Sequence, residues 1–145
     1  MQPANALMNI QPAARRTLLL ILLPMLATFA SQRLFLHLVG VHHVRAGGLI
    51  IHHLFFGVAM LIPAAFVLAF PIRSRTVANF ARVALGIGSA MVLDEVVYLV
   101  ATEARDGDYL SPLSLWGAIL LISLAVLLLM LLFRLSRNDG KPGAN

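Results

Sequence analysis

The chain has no cysteine, which removes disulfides, thiolate metal ligands and a cysteine nucleophile together and leaves any metal to His, Asp or Glu. Charge is scarce as well: Asp, Glu, Lys and Arg make up 12% of the 145 residues, about half the share of an ordinary soluble domain. Only six residues are acidic. No internal repeat is present, and no run alternates with period two for the ten or so residues of a membrane β-strand. These absences exclude a soluble globular domain and a β-barrel. What remains is apolar, with 60% hydrophobic residues and mean hydropathy +0.90, the composition of an integral membrane protein.

Four long apolar runs predict an all-α transmembrane four-helix bundle in a single domain, with spans at about 17–39, 47–70, 79–101 and 113–133. Each run has roughly the 20 residues needed to cross about 30 Å of hydrocarbon. The first run, "TLLLILLPMLATFA", also has the form of a secretory signal with a cleavage site after Ala30. Its apolar pattern continues past Arg33 through "LFLHLVG", long enough to span as it stands, so retention in the membrane is expected. Pro71, Arg73 and Arg75 in "PIRSRT" end the second run. In "GIGSAM", Gly86, Ser89 and Ala90 form a small-residue face for close helix packing; the strand that a nucleotide loop needs before it is absent. The ends, 1–14 and 136–145, carry Pro, Gly and Asn and are expected to be disordered tails.

Orientation follows from the basic residues. Arg15, Arg16, Arg73, Arg75, Arg82, Arg134, Arg137 and Lys141 fall on one side of a four-span arrangement, with Arg45 and Arg105 in the opposite loops. Both termini are therefore expected in the cytoplasm, and the membrane is expected to be the bacterial inner membrane. The net charge of +5 then reflects topology and anionic lipid headgroups. It does not call for nucleic acid.

Polar residues inside the runs raise the functional question. His52 and His53 in "IHHLFFG" would lie roughly 8 Å below the outer end of the second helix, at the level of Arg33 and His37 on the first and of Asp94 and Glu95, roughly 10 Å down the third. A charged residue near the bilayer centre costs about 2.5–3.5 kcal/mol on insertion scales, so such groups should face the bundle interior and one another. Arg33 and His37 are spaced i, i+4, as are Asp94 and Tyr98, and each pair shares a helix face. Imidazole with carboxylate is a ligand set for Zn, Mn or non-haem Fe, which makes His37, His52, His53, Asp94 and Glu95 candidate metal ligands, with Arg33 and Tyr98 as a supporting polar network. An enzyme built on that site would carry out metal-assisted chemistry on an apolar or lipid-derived substrate. Against a metal stand the missing HExxH and Glu-x-x-His patterns and the fixed charge of Arg33.

Three other readings use the same residues. The network fixes helix register in a non-catalytic accessory subunit that works with a membrane partner or a second copy of itself. Alternatively it relays protons or ions, or His37 and His53 ligate a b-type haem, which leaves the carboxylates unexplained. His42 and His43 in the outer loop are expected to be solvated or interfacial. So are the acids of "TEARDGDY", and Trp116, Tyr109 and Tyr98 fit an aromatic belt at the membrane surface, with Tyr98 also able to hydrogen-bond into the cluster.

"IHHLFFG" together with "GIGSAMVLDE" resembles a group of small uncharacterised bacterial four-span integral membrane proteins with an HHLxxG motif in the second span and an LDE motif in the third. The resemblance covers roughly residues 33–120 and rests on His52, His53, Gly57, Asp94 and Glu95. It implies the four-span architecture and the membrane location and assigns no activity. That group often has a further histidine two positions before the pair; Ile50 stands there in this chain, one potential ligand fewer.

Overall fold

The computed structural model describes residues 4–40, 44–47, 49–103 and 105–138. The protein is a helical bundle of α1 (Ala4–Val39), α2 (His53–Ala69), α3 (Arg75–Ala101) and α4 (Pro112–Asn138). Three of these contain stretches long and apolar enough to cross a membrane, Ala13–Val39, Arg75–Ala101 and Pro112–Arg137. The fourth, α2, has 17 residues, a length of about 25 Å.

Two boundaries depart from the sequence expectation. Because α1 starts at Ala4, residues 4–14 are helical where a disordered tail was expected; "ANALMNIQ" is rich in Ala, Leu, Met and Gln, all good helix formers. At the other end α4 continues to Asn138, and 139–145 lie outside the described residues. The second departure is larger. Where a helix was expected from residue 47, β1 (Val44–Ala46) pairs antiparallel with β2 (Leu49–Ile51), with Val44 opposite Ile51 and Ala46 opposite Leu49. Gly47 makes the reversal at φ +59°, a left-handed conformation that glycine adopts without steric cost. Valine and isoleucine favour the extended strands on either side. Helix α2 is thereby postponed to His53.

Helix α3 is the hub: it packs on α1, α2 and α4, while α1 and α4 also touch. Small residues permit this. A Cβ placed on Gly88 would lie 2.7 Å from the Gly57 carbonyl oxygen of α2, and one on Gly57 would lie 2.8 Å from that of Gly88. The two backbones meet here, so only glycine fits. On another face of α3, Gly86 lies against the backbone of Ile21 in α1. Leu22 and Met25 from α1, Ala90 from α3 and Ile122 from α4 form the apolar core. Outward positions such as Leu23, Phe66, Phe80, Trp116 and Leu127 are exposed. Such a surface suits lipid and not water.

Local signals set the helix starts. Ser74 Oγ accepts a hydrogen bond from the Val77 amide at 3.4 Å, and Ser111 Oγ accepts from the Ser114 amide at 3.2 Å. Each serine caps the helix that follows, with Pro112 at the first position of α4.

Candidate functional site

The polar residues of "LDE" gather at one end of the bundle, around the C-terminal half of α3. Asp94 is 0% exposed and Glu95 2%. A carboxylate there must be balanced by cations or hydrogen-bond donors, because its water is gone. The two acids solve this problem with different partners.

Asp94 is matched with arginine and tyrosine. Arg33 Nε, from α1, donates to Asp94 Oδ1 at 2.6 Å. The rest of the guanidinium is also used: Nη1 donates to the Tyr109 carbonyl at 2.8 Å, and Nη2 donates to the Asp94 carbonyl and to Ser114 Oγ, both at 3.2 Å. Its plane sits over the Tyr109 ring, 4.4 Å from the centroid, adding a cation–π contact. The Tyr109 hydroxyl donates to Asp94 Oδ2.

Glu95 is matched with the histidines and with the start of α2. His52 Nδ1 lies 2.6 Å from Glu95 Oε1, and His53 Nδ1 lies 3.2 Å from Oε2. The Leu54 amide donates to the same Oε2 at 2.6 Å. His52 holds the N-cap position of α2 yet provides no side-chain cap; the Glu95 carboxylate, reaching across from α3, takes that role. It satisfies a free amide of the first turn and places negative charge at the positive end of the helix dipole. His53 Nε2 approaches Asp94 Oδ2 at 3.6 Å and the Tyr109 hydroxyl at 3.4 Å, so it bridges the two halves of the cluster.

The histidines therefore sit at the mouth of α2 and not a turn and a half inside it. Their side chains are 19% and 21% exposed, at the rim of a cluster whose carboxylates are fully enclosed. No family model, curated protein or solved structure matches the chain. The site must be read from its own geometry.

That geometry divides the sequence candidates. Arg33, His52, His53, Asp94 and Glu95 come together, and Tyr98 lies beside them, buried, with its ring 6.2 Å from that of His52 and 5.3 Å from that of Tyr109. His37 does not join. It is exposed, one turn or about 6 Å further along α1 than Arg33. Among the described residues no group of three His, Asp or Glu side chains is arranged to hold a metal ion. His42 and His43 lie outside the described residues.

Sequence reasoning missed two participants. Tyr109, expected at the membrane surface, is 2% exposed inside the cluster, and Ser114 is 0% exposed. A 3-10 turn over Asp106–Leu110 carries Tyr109 inward, held by the Asp108 carboxylate accepting from the Arg105 amide at 3.1 Å and by the Asp108 amide donating to the Arg105 carbonyl at 2.9 Å. The signal was present in "RDGDYLSP": a turn sequence and a helix start leave the tyrosine between them little chain to swing outward. Burial, and then the Asp94 carboxylate, push the Tyr109 phenol well above its ordinary value, partly opposed by Arg33. It stays a hydrogen-bond donor.

Proposed function

We propose that this chain is a four-span membrane protein of the bacterial inner membrane with both termini cytoplasmic, and that its polar cluster is a structural clamp in a non-catalytic accessory subunit. The observation that carries the reading is the reach of Arg33. From α1 it donates to α3, to the turn holding Tyr109 and to the start of α4, while Glu95 ties α3 to α2. One connected network thus fastens all four helices at the same end, and the oxygens of both carboxylates already have hydrogen-bond partners. A site poised for substrate or metal keeps an open position; a clamp fills them.

A second reading has its own support. The cluster holds two carboxylates against one arginine, and His52 and His53, side chains able to carry a proton, lie against Glu95. The histidines at the rim offer that proton a route to the exterior. Together these features support a proton site.

Proteoliposomes separate the two. With purified chain and an entrapped pH dye, the clamp reading expects no proton flux above empty vesicles and a large stability loss for Arg33→Met, about 3–5 kcal/mol because Asp94 is left buried and unpaired. Proton flux abolished by Glu95→Gln would establish the relay in its place.

A further inference from the structure

At the opposite end of the bundle from the cluster, α1 and α3 part to leave a cavity of about 570 Å³, within the usual size range of ligand sites. Four arginines line it: Arg16 from α1, Arg73 from the segment before α3, and Arg75 and Arg82 from α3 itself. Asn79 and Thr17 add neutral hydrogen-bonding groups. Arg75, Asn79 and Arg82 follow i, i+4, i+7 and share one face of α3. The cavity opens about one turn beyond the close contact of Gly86 with Ile21, where the helices have separated.

Among the described residues, no acidic side chain lines the cavity. Five of the six acidic residues lie between 94 and 108, and the sixth, Asp139, is outside the described residues. Arg82 Nη1 donates to the neutral Asn79 side chain at 3.3 Å. Arg82 lies roughly 10 Å along α3 from its first residue, inside the stretch apolar enough to cross a membrane. Four guanidiniums around one space repel each other unless an anion joins them. Guanidinium matches phosphate with paired hydrogen bonds, and the free amides at the start of a 27-residue helix favour negative charge further.

We propose that this cavity binds a phosphate group, that of an anionic phospholipid in the leaflet facing the basic end of the bundle. Free phosphate has the same chemistry. The lipid is favoured because its headgroup lies at the depth where the membrane-crossing segments of α1 and α3 begin. The inference rests on the membrane reading of the chain and is independent of what the cluster does.

Native mass spectrometry of the full chain in non-ionic detergent, with dioleoyl phosphatidylglycerol or dioleoyl phosphatidylcholine added in equal amount, tests it. Phosphatidylglycerol should be retained about tenfold more, and Arg75→Gln with Arg82→Gln should remove that preference. Arg134→Gln with Arg137→Gln, on α4 and outside the cavity, should leave it. Circular dichroism checks folding, and Arg73→Gln, outside any helix, provides a variant that cannot break one and should weaken retention too. Equal retention of the two lipids by the native chain overturns the proposal, as does an equal loss on changing the α4 arginines, which would mark general surface charge. Inorganic phosphate separates the sources: if it raises thermal stability through Arg75 and Arg82 while the lipid is not retained, the lipid assignment falls.

Discussion

At the scale of single residues, the cluster shows how a buried acid is made tolerable. Arg33 and Tyr109 enclose Asp94 with hydrogen-bond donors, and the tyrosine is in turn held protonated by burial and by that acid. The sign of the linkage follows. A phenol raised in the folded state contributes stability that is fully present below its unfolded value of about 10 and is lost as pH climbs through the higher folded value. The difference in absorbance near 295 nm between the native chain and Tyr109→Phe should therefore show no tyrosinate at pH about 10.5, where an ordinary tyrosine is mostly ionised. Half-ionisation near pH 10 would place Tyr109 in water. The same variant should lower stability by about 1.5–3 kcal/mol, the value of a hydrogen bond to a charged group. Arg33, Asp94, Glu95 and the histidines were legible as partners because intramembrane polar groups must find one another. Tyr109 was not, because a loop residue carries no helical period from which depth can be counted. His37 failed for the opposite reason: i, i+4 spacing preserves the face but moves the side chain a full turn along the axis.

At the scale of elements, the largest difference from the sequence expectation is β2, a strand over Leu49–Ile51 where the apolar run predicts helix. Hydropathy cannot distinguish "GGLIIHH" as helix from the same residues as strand, since both bury apolar groups; the paired glycines were the distinguishing sign. The consequence is functional. Starting α2 at His53 brings its free amides within reach of Glu95, so the carboxylate serves as cap as well as counter-charge. The small-residue face of α3 was legible, although its roles are split: Gly86 meets α1 and Gly88 meets α2. Gly88→Ala should force the α2 and α3 backbones apart and cost about 1–3 kcal/mol in detergent unfolding. Ser89→Ala, a neighbour of similar size on the same helix and only half-buried, is the control and should stay within about 0.5 kcal/mol. Equal effects of the two would mean that the close contact carries no energy.

At the scale of the whole molecule, α2 decides the topology. With 17 residues it is shorter than a typical span, and a reading in which it fails to cross would put the two termini on opposite sides of the membrane. Three observations favour crossing. Arg16 near the start of α1 lines one cavity with Arg73 and Arg75 at the start of α3, so α1 and α3 begin at the same end. Arg33 late in α1 meets Asp94 late in α3 and Ser114 at the start of α4, so α4 begins at the other. His52 touches Glu95 at that second end, which leaves α2 to travel back to the first. The basic residues then fall together, with Arg15, Arg16, Arg73, Arg75, Arg82, Arg134 and Arg137 at one face, as positive charge does on the cytoplasmic side. A reporter fused after Arg137 should accordingly be active only in the cytoplasm, and one inserted after Gly107, in the turn beside the cluster, only on the far side. Cytoplasmic activity at both positions would leave α4 lying along the surface, whereas activity of the first fusion outside the cell and of the second inside would invert the bundle and turn the clamp toward the cytoplasm.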